Sequence, residues 1–199
     1  MNKIKELYEE LLKKHGYQGW WPINNSYTPK DYSAPRDEKE RYEIILGTIL
    51  TQNTTWGNAE KALNSLRKNH LVKPERILSL NEKELAKTIR SAGYYNQKAK
   101  YAKEITKLYL ELKGRIPTRQ ELLRVKGVGK ETADSILLYA YKQPVFVIDK
   151  YTKKFLHREK IITGNEKYEE IQRIFQEKLR KSYKKFNEYH ALIVAEMKK

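Results

Sequence analysis

The sequence predicts an all-α protein, and three observations lead to that prediction. Apolar residues recur at helical spacing along most of the chain. The one stretch typical of a strand, at residues 143–149, is too short and too isolated to form a sheet. Between the periodic segments lie residues that interrupt helices, namely Gly114, Pro117, Gly127, Gly129, Pro144 and Gly164.

The helices can be placed in order along the chain. In the first, which Gly16 ends, one face is formed by Ile4, Leu7, Tyr8, Leu11 and Leu12. A polar, aromatic loop containing GWWPINN follows from Tyr17 to about Pro35. The next segment, Glu38–Gln52, is so apolar that we expect a central, buried helix. Further helices are predicted near residues 56–69, 82–91, 96–113, 118–124, 130–142, 150–158, 166–182 and 187–197.

Composition limits the classes of function. The chain has 199 residues, with 41 Lys and Arg against 25 Asp and Glu, a formal net charge of +16. This excess favours a polyanionic partner, most often nucleic acid. A lysine-rich thermophile surface is the alternative, but glutamate would then rise as well.

Cysteine and histidine usage excludes several kinds of site. The sequence has no cysteine, which rules out disulfides, a zinc ribbon, a thiol nucleophile and a cysteine-ligated iron–sulfur cluster. The four histidines lack the spacing of metal ligands, so no metal site is expected. No apolar run is long enough to span a membrane, and the N-terminus lacks an apolar signal core. We therefore expect a soluble intracellular protein.

A glycine hairpin separates two of the predicted helices. The first of these begins with Thr118 and Glu121 at the spacing of a capping box. The hairpin itself consists of Lys126, Gly127, Val128, Gly129 and Lys130. Its glycines permit positive φ and close approach of another backbone, and its lysines add positive charge, a combination that suits a phosphate. An ordinary helical turn capped by glycines explains the two glycines alone equally well.

The full pattern LxxVKGVGKETAxxIL resembles the helix-hairpin-helix motif of the endonuclease III-like DNA glycosylase superfamily. In that superfamily an aspartate follows the hairpin, and VIDKYTKKFLHR matches this segment, with Asp149 placed 149 − 129 = 20 residues after Gly129. Three other segments match in order: LGTILTQNTTWGNAEKAL, SAGYYNQKAKYAKEI and NEYHALIV. WWP upstream of the central helix, GYYNQKAK and GKETADxIL…VIDKY together look most like the 3-methyladenine glycosylase branch.

The resemblance implies a two-lobed helical fold. We expect residues 40–144 to form a central domain with the hairpin motif at 118–142, and residues 1–39 and 145–199 to form a second domain. Many relatives hold an iron–sulfur cluster in a C-terminal cysteine loop, which this sequence lacks. No required cofactor is expected, and the N-terminal helix and WWP loop should support the C-terminal lobe instead. The family also allows for a monovalent cation, here at the carbonyls of Val125 and Val128.

Asp149 has two compatible expected roles. As an N-cap it would accept a hydrogen bond from the helix that begins at Lys150. The resemblance adds the role of catalytic carboxylate, which stabilises positive charge on the sugar as the base departs and orients or deprotonates water. The apolar residues 145–148 should lower the local dielectric and strengthen this interaction.

Residues that hold a flipped base and fill its place are also implied. Trp21 and Tyr42 are the candidate walls of the base pocket, with Trp20 as a further candidate. The plainer alternative is that the tryptophans anchor the N-terminal segment. An electron-rich aromatic face would attract a cationic, N-alkylated purine. We expect Gln52 to fill the gap left by the base and Tyr94 to act as a stacking wedge, although Tyr94 could be an ordinary tyrosine.

The sequence also bears on the type of reaction. Bifunctional relatives carry a lysine two residues after the second hairpin glycine, where this chain has Glu131. Lys130 lies one residue earlier, about 100° away on a helix. Where the nearest branch is expected to have another lysine, this chain has Leu192.

We therefore predict a monomeric, monofunctional glycosylase of prokaryotic cytoplasm. It would act on nucleoid double-stranded DNA that contains a damaged base, in particular an alkylated purine such as 3-methyladenine. One alternative is a bifunctional glycosylase and AP lyase for oxidised pyrimidines. Others are a glycosylase for mispaired bases and a non-catalytic helix-hairpin-helix module that only binds DNA.

Overall fold

The computed structural model describes residues 2–198, which form helices and no sheet, so the all-α prediction is confirmed. A 3₁₀ turn spans Arg90–Ala92 and a π-helical turn spans Ile136–Ala140. The α-helices are α1 (Lys3–His15), α2 (Glu38–Leu50), α3 (Trp56–Lys68), α4 (Pro74–Ser79), α5 (Glu82–Thr88), α6 (Tyr95–Glu111), α7 (Arg119–Arg124), α8 (Lys130–Ser135), α9 (Lys150–Arg158), α10 (Tyr168–Lys178) and α11 (Tyr183–Met197). No helix in the described part of the chain has the length and apolar character needed to cross a membrane.

Several elements differ from the prediction. Helix α10 is shorter than the expected 166–182, and the helix expected over 82–91 ends at Thr88 before the 3₁₀ turn. Helix α4 was not predicted, because its six residues bury only Ile77 and so show no periodicity. The helix expected over 130–142 ends as an α-helix at Ser135 and continues as the π-helical turn. Helix α11 begins earlier than expected because the Ser182 hydroxyl caps it, accepting a hydrogen bond from the Lys185 amide.

Packing divides the chain into two compact units. The terminal unit comprises Met1–Pro22, Ser26–Tyr32 and Leu137–Lys199. The central unit comprises Ile23–Asn25 and Ser33–Ile136. The domain boundaries expected from the sequence, after residues 39 and 144, stay a proposal, and the two units are described separately below.

Helix α2 forms the centre of the central unit. Every residue from Tyr42 to Leu50 is buried, which confirms the expectation of a buried helix. Helices α3, α6 and α8 pack around it. Helix α7 begins with the predicted capping box, in which the side chains of Thr118 and Glu121 each accept a hydrogen bond from the other residue's amide. This box fixes the start of the segment that carries the hairpin.

In the terminal unit, α1 and α9 pack against α11, and α10 packs against α1. Its aromatic core includes Phe146, which stacks on Phe175 with ring centroids 3.7 Å apart. The Glu196 carboxylate of α11 pairs with Lys14 and His15 of α1, at 2.8 and 2.6 Å, and with Arg158 of α9 at 3.0 Å. Burial would raise the pKa of Glu196, but the hydrogen bonds that its carboxylate accepts from Lys14, His15 and Arg158 lower that pKa to about 2. The N-terminal helix is therefore fastened to α11 by charge as well as by apolar packing.

Candidate active site

Asp149 is the N-cap of α9, as the sequence predicted. Its backbone is extended, and its Oδ1 accepts a hydrogen bond from the Thr152 amide at 2.7 Å. The preceding residues 146–148 are almost completely buried, and Asp149 itself is only 9 % exposed. The cap holds one carboxylate oxygen still, so Oδ2 is the oxygen left for other partners.

The electrostatic surroundings favour the ionised form of Asp149. Burial alone would raise the pKa of its carboxyl group, because a low dielectric disfavours the charge. His190, whose Nε2 lies 3.6 Å from Asp149 Oδ2, and the Thr152 amide more than offset burial. The pKa of Asp149 is therefore below its usual value, and the buried group carries a negative charge at neutral pH.

An aromatic cluster surrounds the other side of His190. Its Nδ1 lies 2.6 Å from the Tyr139 hydroxyl, and both residues are buried. The ring centroid of Trp20 lies 5.9 Å from that of the His190 imidazole and 6.1 Å from that of Tyr139. The ring centroid of Trp21 lies 5.1 Å from that of Tyr139. We call Trp20, Trp21, Tyr139, His190 and Asp149 the carboxylate site.

The loop that carries the two tryptophans is fixed to α11. Glu188 accepts hydrogen bonds from the Gln18 amide and the Tyr32 hydroxyl, each at 2.7 Å. The Asn187 side chain donates to the Trp20 carbonyl at 2.9 Å. Gly19 has φ +69, and a Cβ there would lie 2.6 Å from the Pro29 nitrogen, so only glycine fits. Trp21 is buried, whereas Trp20 is partly exposed.

Tyr42 belongs to the central unit instead. It is 1 % exposed, its hydroxyl contacts that of Thr106 at 2.7 Å, and its ring packs 5.0 Å from that of Tyr109. This burial lends no support to its expected role as a pocket wall, which stays a prediction. Leu192 is fully buried in α11.

Most of the residues expected to contact DNA line an open groove of about 540 Å³ in the central unit, which we call the hairpin groove; the hairpin lysines Lys126 and Lys130 are not part of its lining. Its lining residues are Gln52, Asn53, Tyr94, Gln97, Lys98, Tyr101, Gly127, Val128 and Gly129. The Gln52 side chain donates to the Gly127 carbonyl at 2.9 Å and to the Thr132 hydroxyl at 3.0 Å. Gln52 therefore supports the hairpin, a contact that the sequence did not indicate.

The two glycines of the hairpin differ in whether the structure requires glycine at their position. Gly127 has φ +89, and a Cβ there would lie only 2.1 Å from the Tyr101 ring. Gly129 is the extended N-cap of α8, and no other group lies within 4 Å of its Cβ position. Only Gly127 therefore requires glycine on conformational and steric grounds.

Tyr94 and Lys98 lie together at the start of α6. Tyr94 is 69 % exposed in the left-handed conformation, with φ 47. Lys98 is 2 % exposed and its ammonium donates to the carbonyls of Leu50 and Ala92, at 2.8 and 2.7 Å. Burial lowers the pKa of Lys98 to about 8. An exposed tyrosine at the start of a helix is the geometry expected of a wedge, and that role stays a prediction.

The charged residues of the hairpin lie at the surface. Lys126, Lys130 and Glu131 are all exposed. The Val125 carbonyl accepts the Val128 amide at 3.0 Å to close the turn. Each carbonyl oxygen can accept twice, so this bond is compatible with the expected cation. Across residues 2–198, no group of three or more His, Asp or Glu side chains is arranged to hold a metal ion.

Two residues of the carboxylate site were not predicted. Tyr139 lies in the π-helical turn, which shifts the side chains that follow Ser135 relative to a regular helix. His190 appeared in the sequence as one of four scattered histidines. The motif EYHALIV was recognised as a late helix, but nothing in its spacing indicated that its histidine faces Asp149.

Comparisons with known proteins agree with the motifs. The family model of the HhH-GPD superfamily base excision DNA repair protein matches residues 46–181. A Methanocaldococcus jannaschii protein provisionally named a DNA repair glycosylase is 42 % identical over 207 aligned residues, covering 98 % of this chain and 87 % of the relative.

Two further relatives have different names. The crystal structure of Helicobacter pylori 3-methyladenine DNA glycosylase bound to 1,N6-ethenoadenine superposes with a TM-score of 0.75 and 28 % identity, covering 99 % of this chain and 95 % of that one. Endonuclease III of Thermotoga maritima is 31 % identical over 128 residues, which are 62 % of this chain and 60 % of the relative.

Proposed function

Because the chain belongs to the HhH-GPD superfamily of base excision DNA repair proteins, we propose that this DNA repair glycosylase hydrolyses the N-glycosidic bond of an alkylated purine flipped out of duplex DNA. The observation that carries the proposal is the carboxylate site. There, His190 lies between the buried, ionised Asp149, 3.6 Å from its Nε2, and the partly exposed ring of Trp20, whose centroid is 5.9 Å from that of the imidazole. Similarity to the H. pylori 3-methyladenine glycosylase supports the choice of base.

The chemistry follows from the charge of the site. The bond between C1′ and the base nitrogen breaks, and its electron pair leaves with the base. Positive charge then develops on the sugar, where a fixed carboxylate in a low-dielectric setting stabilises it. Water adds its oxygen to C1′ and gives its proton to Asp149, from which it passes to solvent.

An alkylated purine suits this site better than a neutral lesion. N-alkylation makes the base cationic, so it leaves as a neutral molecule without needing a general acid. The indole of Trp20 offers an electron-rich face that attracts a cation by about 0.5–2 kcal/mol. Flipping itself costs a few kcal/mol, and Gln52 and Tyr94 are proposed to occupy the vacated space.

We also propose that the enzyme is monofunctional. Glu131 occupies the position at which bifunctional relatives carry the Schiff-base lysine, and a carboxylate cannot form a Schiff base. The similarity to endonuclease III keeps the bifunctional reaction as the second candidate. Borohydride added during turnover should trap no protein–DNA adduct, and a trapped adduct at Lys130 would establish the lyase.

The decisive assay uses one set of matched duplexes. They carry 1,N6-ethenoadenine, 3-methyladenine, an oxidised pyrimidine, a G:U mismatch or no lesion, and strand nicks are measured with and without alkali. The proposal expects nicks that require alkali on the 3-methyladenine duplex, whose damaged base is cationic, and much less release of the neutral 1,N6-ethenoadenine, the oxidised pyrimidine or the mismatched base. Direct nicks would indicate a lyase, release from the mismatch would indicate a mispair glycosylase, and binding without release would indicate a non-catalytic module.

A further inference from the structure

The two nitrogens of the His190 ring face different polar partners. Nδ1 lies 2.6 Å from the Tyr139 hydroxyl, whereas Nε2 lies 3.6 Å from Asp149 Oδ2. Among the residues that the structure describes, Nε2 is buried with no direct hydrogen-bond partner, because 3.6 Å exceeds hydrogen-bond length. His190 therefore lies between the buried hydroxyl of Tyr139 and the buried carboxylate of Asp149, and it leaves Asp149 Oδ2 without a direct hydrogen bond from its ring.

The phenol determines which nitrogen carries the proton. Burial raises the pKa of Tyr139 well above its ordinary value, so the hydroxyl keeps its proton at neutral pH. Toward a neutral imidazole it must donate to Nδ1, which leaves the ring proton on Nε2, facing Asp149. In the doubly protonated ring, Nε2 carries a proton as well. In both states the carboxylate faces an N–H.

We propose that His190 is a positioning residue for Asp149: Tyr139 fixes the ring proton on Nε2, and this N–H keeps the carboxylate ionised and in place while the glycosidic bond breaks. The inference rests on the proposed function, in which Asp149 is the catalytic group. The separation of 3.6 Å leaves Oδ2 able to accept a hydrogen bond from the attacking water.

Other groups face this assembly and must be kept constant in a test. On the helix of His190, the charge of the buried Glu188 adds to the effect of burial in raising the pKa of Tyr139. Burial lowers the pKa of Lys198, the C-cap residue of that helix, and the charge of Asp149 opposes this effect. From other elements come the uncharged rings of Trp20 and Phe146, 5.9 and 6.5 Å from the imidazole. Asp149 is thus the anion to which Nε2 points most directly.

The direct test is an NMR titration of the Asp149 carboxyl carbon in the full chain, assigned by its loss in Asp149→Asn. We expect the midpoint to rise by about one pH unit, a tenfold gain in proton affinity, in His190→Leu. It should rise less in His190→Gln, which keeps a neutral donor and guards against a fold defect in the leucine variant. An unchanged or lower midpoint in His190→Gln would overturn the proposal.

Two further variants separate positioning from packing. Tyr139→Phe removes only the hydroxyl that fixes the tautomer, so the midpoint should rise; no change would overturn the role given to Tyr139. Tyr189→Phe is the matched control. Tyr189 precedes His190 on α11, and its buried hydroxyl donates to the Ile4 carbonyl at 2.9 Å, so this variant also removes one buried hydroxyl. The control should lower the melting temperature and leave the Asp149 midpoint unchanged.

Single-turnover base release against pH gives the catalytic readout. If His190 positions Asp149, the acidic limb of the pH–rate profile of His190→Gln shifts to higher pH by the same amount as the NMR midpoint, while duplex affinity stays constant. A rate lowered equally at every pH would mean that His190 only packs, and would overturn the inference. If the wild type releases no base from any lesion, the proposed function fails, and the NMR titration still decides the role of His190.

Discussion

The side-chain amide of Gln52 donates a hydrogen bond to the carbonyl of Gly127, 75 residues away in the chain, and so joins the end of α2 to the hairpin. The same nitrogen reaches the hydroxyl of Thr132 on α8. A residue expected only to fill the space of a flipped base therefore also holds the hairpin in shape before DNA binds.

Gln52→Ala should lower the free energy of unfolding by about 1–2 kcal/mol, because two hydrogen bonds are lost and their partners are left unpaired. Duplex affinity should fall as well, since the hairpin loses its support. Denaturant unfolding and fluorescence anisotropy measure the two effects. Asn53→Gly, on the same loop and lining the same groove, is the control, and equal losses in both variants would argue against a supporting role for Gln52.

Gly127→Ala and Gly129→Ala should have very different effects. The first places a Cβ 2.1 Å from the Tyr101 ring at a positive φ, and should destabilise the protein by about 2–4 kcal/mol and abolish DNA binding. The second adds a methyl group in open space at an extended φ, and should change stability by about 1 kcal/mol at most. Thermal unfolding and DNA titration of both variants check this, and equal stability losses would refute the assignment of the clash.

The buried amine of Lys98 should make stability depend on pH. Its folded pKa of about 8 lies below its ordinary value of 10.5, so the unfolded chain binds more protons between these values. Stability contributed by this group is lost as pH falls through 8 and is gained as pH rises toward 10.5. The neutral amine keeps two N–H donors, enough for the Leu50 and Ala92 carbonyls.

Lys98→Met removes that dependence together with both hydrogen bonds. The free energy of unfolding of the wild type, minus that of the variant, should therefore grow between pH 8 and pH 10. Urea unfolding of both proteins at several pH values measures the difference. A difference that stays constant from pH 7 to pH 10 would mean that burial does not lower the pKa of Lys98.

The sequence predicted those features that depend on local patterns. Apolar periodicity identified the buried helix α2, and the capping-box spacing of Thr118 and Glu121 located the start of α7. The position of Asp149 before a helix likewise indicated an N-cap, which the structure confirms. In each case neighbours within four residues determine the outcome.

Contacts distant in sequence could not be predicted in this way. The pairing of His190 with Tyr139 joins residues 51 positions apart, and it depends on a π-helical turn that has no clear sequence pattern. No spacing in the sequence indicated that the ammonium of Lys98 lies between two backbone carbonyls, where the structure places it. Such sites arise from tertiary packing, which overrides local propensity.

The central claim is that the charge of Asp149 accelerates departure of the base. Asparagine can still accept the Thr152 amide and cap α9, so Asp149→Asn should fold normally and differ chiefly in charge. Single-turnover base release from a duplex containing an alkylated purine, measured beside duplex affinity, tests the claim most directly. We predict release about 100- to 1000-fold slower with affinity unchanged; release at the wild-type rate would contradict the account.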